Sequence, residues 1–481
     1  MFFYARYFCL ILCLVGFSYS QGVAAEDVSK TNQKQPTELI LATDGISLFE
    51  MQNARRHGLF KDFHPPTAMV STFPSMSDIA WADIFDTPPP AGVNQLHFNP
   101  VQNRTIGTVL SDLNSQRDFE QRFQVSHADP IHHTRAYIDY AETAKQELRA
   151  IERSFLNSKG SGPFFAYTPT SDVFMHSSFE SLAYLRELDK YLSSLKQKYL
   201  EKTGNPLRLT LLSDHGNNRD NGKTFDVQKL VTDAGYKVAF SLRGNRDVVN
   251  PKVGVINYGA LFIRPKFRKE LAEQMARQEG VDLVVYRDNN FRIFVLKAAD
   301  AKAPLQIAEV VGNKQQVQLI NHIGDPLSYN DLMQQMKQQK LLSEVGIASY
   351  EEWFQASLDA RYPYAPVRIW RAYNGETMQF PPDIFLSLKS GWSVINPVIS
   401  RLRKVEEMHG GTHGSLAKEE TVGYLMSNHT PSTALPSHLV REKFIKAELP
   451  SKKMATSADV MEEIWNAINI ESAEIDSSPS K

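Results

Sequence analysis

The chain has 481 residues, 53 basic and 54 acidic side chains, a formal net charge of −1 and two cysteines. A near-neutral balance with no basic tract argues against nucleic-acid binding, and the length allows a large core in one big α/β domain with insertions, or in two domains. Phe2 to Phe17 is mostly apolar with one cation, Arg6, and ends near the small residues Val23-Ala24-Ala25. That is the pattern of a signal peptide cut before Glu26, with an uncleaved anchor as the alternative.

The apolar run is short for a membrane span, and no second run of about 20 apolar residues follows, so no transmembrane span is expected in the mature chain. Leu12 rather than a small residue precedes Cys13, which argues against a lipoprotein. Both cysteines, Cys9 and Cys13, lie in the leader, so residues 26–481 have none. A secreted or periplasmic location is therefore expected without a disulfide framework.

Residues 26–37 read as a polar lead-in, 38–450 as the main domain and 451–481 as a polar tail with a short helix near Val460 to Ile468. In chain order, Glu38 to Thr43 reads as a buried strand stopping at Asp44. A helix starts at Ser77 and is stopped by Thr87-Pro88-Pro89-Pro90. The apolar spacing from Tyr137 to Leu156 is helical, and Ser158 to Pro163 turns into a strand, Phe164 to Tyr167, leading to Asp172 and His176. Leu182, Leu185, Leu188, Leu192, Leu195 and Tyr199 form a helical stripe that covers the sheet. Leu209 to Leu212 is a third strand, ending in Ser213-Asp214-His215-Gly216. Val253 to Ile263, Lys269 to Gln278, Val281 to Tyr286 and Phe291 to Leu296 read strand, helix, strand, strand, with a turn at Arg287-Asp288-Asn289-Asn290. These residues suggest a small α/β subdomain inserted at roughly 235–330.

Three apolar runs thus stop at carboxylates or imidazoles, which places Asp44, Asp172, His176, Asp214 and His215 at the carboxyl edge of a parallel sheet, where α/β enzymes build their sites. His413, in Gly410-Gly411-Thr412-His413-Gly414, has a backbone free to approach such a site closely. Each motif has a plain alternative: Asp214-His215 as a loop cap, Asp172 as a helix N-cap beside an incidental histidine. His132-His133 and His409 read as loop histidines. In Phe73-Pro74-Ser75-Met76-Ser77-Asp78 the Ser77 hydroxyl opens a helix, where free amides and the dipole favour an alkoxide and a phosphate; an ordinary N-cap is the plain reading, and both roles can hold at once.

The order of Asp44-Gly45, Phe73 to Ser77, Asp172 with His176, Asp214-His215-Gly216 and Thr412-His413-Gly414 resembles the alkaline phosphatase superfamily, closest to its nucleotide pyrophosphatase/phosphodiesterase branch, over residues 38 to 430. The resemblance implies a three-layer α/β/α sandwich. It also implies two divalent ions, zinc by family although manganese or iron would accept the same donors. One ion would be held by Asp172, His176 and His413, the other by Asp44, Asp214 and His215 with Ser77 as its nucleophilic ligand. Many relatives carry threonine in place of Ser77. They also carry an asparagine after the nucleophile helix that contacts a phosphoryl oxygen; Asn94 or Gln95 stands nearest that place, with a poor local match. Ser77 is followed by Asp78-Ile79-Ala80-Trp81 and the mature chain has no cysteine, which argues against a sulfatase with a modified residue; a phosphonate or sulfate ester hydrolase using the same serine is a more distant alternative.

The activity implied is phosphoric-ester hydrolysis on a small-molecule substrate through a phosphoserine intermediate. Residues 71–98 contain no arginine or lysine, and a monoester needs more help with negative charge than a diester, so diesters or nucleotide pyrophosphates are expected. The alternatives are a phosphomonoesterase, or a non-catalytic binding protein stabilised by the same metals.

Overall fold

The computed structural model describes residues 35–108, 117–126, 132, 135–136, 139–177, 181–219, 223–251, 255–395 and 411–445. The leader, most of the polar lead-in, the tail from 451, His133 and His409 lie outside the described residues.

Six strands form the central sheet: β1 (Glu38–Thr43), β2 (Thr67–Val70), β3 (Phe164–Thr168), β4 (Arg208–Leu212), β5 (Val422–Ser427) and β6 (Leu435–Pro436), in the order β6-β2-β5-β4-β1-β3. β1 pairs in parallel with β3 and β4, and β2 with β6, whereas β5 runs antiparallel to both β4 and β2. The run Leu39-Ile40-Leu41-Ala42 is apolar without alternation because both faces of β1 are covered. Leu39 and Leu41 pack with helices α1 (Leu48–Arg56), α3 (Tyr140–Asn157) and α5 (Ser181–Thr203), while Ile40 and Ala42 pack with Trp81, Ile84 and Phe85 of α2 (Ser77–Phe85). The result is a three-layer α/β/α sandwich.

Local chemistry sets the helix bounds. Ser47 and Glu50 form a reciprocal capping box at the start of α1. Asp86 ends α2 in the left-handed conformation, φ 50°, ahead of the prolines. On α5, Leu185, Leu188, Leu192, Leu195 and Tyr199 are buried and Leu182 is half-buried at the margin. Each buried leucine contributes about 1.5–3 kcal/mol relative to exposure.

Between β4 and β5 the chain builds a second, nine-stranded sheet whose spatial order is Ile347–Ser349, Gln316–Ile323, Gln306–Gly312, Ile293–Lys297, Val281–Arg287, Ile384–Leu388, Tyr258–Ile263, Asp247–Val249 and Lys237–Val238. All neighbours are antiparallel except the last pair. The helix Arg268–Ala276 packs Leu271, Ala272 and Met275 into this sheet's core. Among the described residues no helix is long and apolar enough to cross a membrane.

The topology explains where chemistry gathers. β1, β2, β3 and β4 all end on one edge, so the residues after each strand meet there. Because β5 runs the other way, the segment leading into it reaches the same edge and brings His413.

Candidate metal centre and nucleophile

Asp44 follows β1 directly, and Asp214 and His215 follow β4 after one serine. Asp172 and His176 sit one turn apart on α4 (Thr170–Ser177), which begins two residues after β3. The structure gathers these side chains, with His413, into two groups: Asp172, His176 and His413, and Asp44, Asp214 and His215, with ligand atoms in each group all within 4.8 Å of one another. The groups adjoin, since the rings of His215 and His413 stack with centroids 3.9 Å apart.

Two tests of the donor set bear on whether cations fit. Every imidazole uses Nδ1 on a backbone carbonyl: His176 on Gly411 O (2.8 Å), His215 on Gly216 O (2.9 Å) and His413 on Ser75 O (2.8 Å). Donation from Nδ1–H leaves the Nε2 lone pair facing the group, the usual arrangement behind a ligating histidine. Second, Asp172 Oδ1 and Asp214 Oδ2 are buried acceptors without a hydrogen-bond partner, a costly state unless a cation faces them.

The spacings agree with that reading. Ligands about 2.0–2.2 Å from a tetrahedral ion stand about 3.4 Å apart. His176 Nε2 lies 3.1 Å from Asp172 Oδ2 and His413 Nε2 3.7 Å from Asp172 Oδ1. His215 Nε2 lies 3.4 Å from Asp44 Oδ1 and 3.3 Å from Asp214 Oδ2.

Ser77 settles its local ambiguity by position. The N-cap of α2 is Met76, with no side-chain capping bond, and Ser77 is the first helical residue. Its hydroxyl donates to Asp44 Oδ1 at 3.0 Å and lies 3.2 Å from His215 Nε2. Ser75 points elsewhere: its buried hydroxyl accepts from Gly414 N (3.1 Å) and faces Ser415 O (3.4 Å). Asp44 is steadied from behind by the Tyr167 hydroxyl, which donates to its Oδ2. Gly45, at φ 68°, is the tight point between the groups, because a Cβ there would stand 2.3 Å from Asp172 Oδ1.

Gln95 lies in the segment after α2, and its side chain bonds Asp78, the residue next to Ser77. Asn94 is half-buried, with its backbone beside His97.

Folding also supplies cations that no local motif announces. Arg117 Nε lies 2.5 Å from Asp78 Oδ1, and its Nη1 3.3 Å from Glu120 Oε1. Arg371 grips Asp83 through both Nη atoms, and Arg441 pairs with Asp86. His132 has a structural partner in the buried Glu147, 2.6 Å away, and the same carboxylate oxygen accepts from Thr170 at the start of α4.

Burial, then repulsion from Asp214 and Asp172, pushes the Asp44 carboxyl well above the usual carboxylate range. Burial likewise raises Asp214, to about 8, with Asp172 adding to it. Burial works to raise Asp172 as well, but His176 and His413 outweigh it and hold that carboxyl low. Burial, helped by His215, lowers His413 to about 3, and burial lowers His215 too.

Above about pH 6.5, the ordinary histidine value, the unfolded chain keeps at most about half a proton on each of His215 and His413, while the raised His176 holds its proton longer in the folded state. There the folded, metal-free protein retains on Asp214 a proton that the unfolded chain has already released, with the raised Asp44 acting in the same direction. Its stability falls as pH rises towards about 8. Thermal melts in chelator are expected to give a Tm that drops between pH 6.5 and 8.5, with a divalent ion reversing the drop. A Tm that is flat or rising across this window would count against the buried carboxylate pair.

No protein-family model matches the sequence, and no curated protein matches it. Among solved structures the chain is similar to human ectonucleotide pyrophosphatase/phosphodiesterase 5, with 10% identity, TM-score 0.44, and 87% of this chain and 97% of that chain covered. It is similar to the murine protein of the same name at 10% identity, TM-score 0.45 and coverage of 87% and 97%. An inactive variant of the murine protein in complex with AMP matches at 11% identity and TM-score 0.45, covering 89% and 99%. Likenesses this distant carry no weight for the site, which rests on the side chains described above.

Proposed function

We propose that the chain is an exported two-metal phosphoric-ester hydrolase that attacks through Ser77. The observation that carries the reading is the placement of the Ser77 hydroxyl, at the first residue of a helix and within 3.2 Å of two groups of the Asp44, Asp214 and His215 cluster. A structural metal site has no need of a hydroxyl there. The donors suit zinc, one ion per cluster. Divalent ions bound there supply Lewis-acid polarisation of a phosphoryl oxygen and lower the pKa of a coordinated hydroxyl or water. Export is supported by the N-terminal leader pattern.

The chain's own groups do the rest. Ser77 Oγ attacks phosphorus in line, the bond to the departing alcohol breaks, and the alcohol leaves with a proton. The phosphoryl group is then an ester on Ser77. The first-turn amides of α2 have no acceptors inside the helix and sit at its positive end, so they favour the negative phosphoryl oxygens. Tyr167 holds Asp44 in one orientation by bonding its Oδ2, which leaves Oδ1 for the site. Water then attacks phosphorus, the bond to Ser77 Oγ breaks, and the serine regains its proton.

Substrate class follows from charge. Arg117 is a cation paired with Asp78, the residue next to Ser77, and it is engaged by two carboxylates, Asp78 and Glu120. Its charge is thereby countered, so a phosphoryl group with one negative charge is better matched than one with two. A preference for diesters or nucleotide pyrophosphates is expected, with Asn94 and Gln95 as candidate contacts to the phosphoryl oxygens. The second reading, a phosphomonoesterase, draws on the same arginine: a swing away from Asp78 would offer it to a monoester. Initial rates for a bis-aryl phosphate and the matching aryl monoester, measured at one pH with one metal loading, decide between them. The diester is expected to be faster by at least about tenfold, roughly 1.4 kcal/mol in barrier. A faster monoester reverses the substrate assignment, and no turnover of either favours the non-catalytic binding protein.

A further inference from the structure

Behind the His413 loop lies a buried acid that takes no part in the chemistry above. Glu420 is fully buried, and among the described residues it has no ion-pair partner. Its Oε1 accepts from Asn218 Nδ2 (2.6 Å) and Asn257 Nδ2 (2.8 Å), and its Oε2 from Ser415 N–H (3.0 Å). Both asparagines then hold the backbone of the segment that carries His413. Thr412 N–H donates to Asn218 Oδ1 (3.0 Å), Asn218 N–H donates to Thr412 O (3.0 Å), and Asn257 N–H donates to His413 O (2.8 Å).

Asn257 belongs to the second sheet. It lies just before the strand Tyr258–Ile263, and its carbonyl accepts from Leu388 N–H (3.1 Å) on the neighbouring strand. The next residue, Tyr258, lies close against Gly414, where a Cβ would come within 2.7 Å of the ring. The inserted sheet therefore touches the ligand-bearing loop on both sides of the His413–Gly414 peptide.

We propose that Asn257 and Glu420 are positioning residues through which the inserted sheet fixes His413 and so sets the affinity of the Asp172, His176 and His413 cluster for its ion. The proposal rests on reading that cluster as a metal site. Hydrogen-bonding groups behind a ligand commonly change metal affinity by about 10–100-fold. Here the Nδ1 of His413 is anchored by Ser75 O, while its carbonyl is held by the Asn257 main-chain N–H, which the Asn257 side chain fixes in place by donating to Glu420 Oε1.

The test is zinc titration of the full-length, metal-free protein against a chromophoric chelator, for wild type, Asn257→Ala and Glu420→Gln. Glu420→Gln keeps the side-chain shape and guards against a loss of folding. Thermal melts of the metal-free proteins run beside the titration. Wild type is expected to take up two ions. Each variant should bind one with unchanged affinity and the other about 10–100-fold more weakly, with the metal-free Tm nearly unmoved. Two ions bound by Asn257→Ala as tightly as by wild type overturns the proposal alone. Equal weakening of both ions together with a lowered metal-free Tm also overturns it, by showing general structural damage. Wild type taking up no zinc overturns both the proposal and the metal reading beneath it.

Discussion

Ser77→Ala is expected to keep the fold and both ions and to lose turnover by about a thousandfold or more, because water replaces a positioned serine nucleophile poorly. The substitution removes one hydroxyl from a half-buried position at the start of α2 and takes no capping bond with it, since Met76 is the N-cap. The lost contacts are those to Asp44 and His215, so the effect should fall on kcat while thermal stability stays within about 1 kcal/mol of wild type. Ser75→Ala makes the contrast. Its hydroxyl braces Gly414 and Ser415, so it should lower stability or metal affinity more than the chemical step. Steady-state kinetics and melts on the two variants separate the roles, and an active Ser77→Ala enzyme would remove the nucleophile from the account.

Asp214→Asn is expected to be nearly as severe by a different route. Asp214 Oδ2 is fully buried without a hydrogen-bond partner, while its Oδ1 accepts from Gly45 N–H at 3.3 Å. An amide in its place keeps the shape but removes the anionic donor that a cation in this cluster would need. Elemental analysis of the purified variant should show occupancy falling from two ions towards one. Turnover should fall more than about a hundredfold, since the ion lost is the one beside Ser77. The metal-free variant should lose less stability than wild type between pH 6.5 and 8.5, because one of the raised carboxyls is gone.

The residues that gather into the two clusters were legible in the sequence because their signal is local. An apolar run buried on both faces stops at a carboxylate or an imidazole, and parallel pairing puts every such stop on one edge. His413 was readable for another reason: glycines on both sides mark backbone that must come close to something. Gly411 bears this out, since a Cβ on it would clash at 1.4 Å with Asn218 O. Ser77 could be named but not chosen over a simple N-cap, because only tertiary structure shows where its hydroxyl points.

The unread residues act across distance. Arg117 sits in Asn114-Ser115-Gln116-Arg117-Asp118, which reads as a solvated loop, and only folding brings it to Asp78. Tyr167 looks like one more buried strand residue until its hydroxyl meets Asp44. Glu420, in Lys418-Glu419-Glu420-Thr421, reads as an exposed charge run, yet it is buried and raised to about 8 by that burial. Part of the second sheet was visible from Tyr258 to Leu296, but Val255–Ile256, read as the start of the same strand, pairs instead with Trp392–Ile395 in a separate small sheet. The second sheet's later strand Gln316–Ile323 does alternate, with Val317 and Leu319 buried between more exposed glutamines, but its partners lie elsewhere in the chain and polar residues dilute the pattern.

The most direct measurement is the rate of bis-aryl phosphate hydrolysis as zinc is added back to metal-free wild-type protein. Two adjoining clusters, one of them in contact with Ser77, predict negligible rate without metal and a rise that reaches its plateau at two equivalents per chain. Full rate in the thoroughly metal-free protein, or a plateau already complete at one equivalent, would contradict the two-metal serine mechanism.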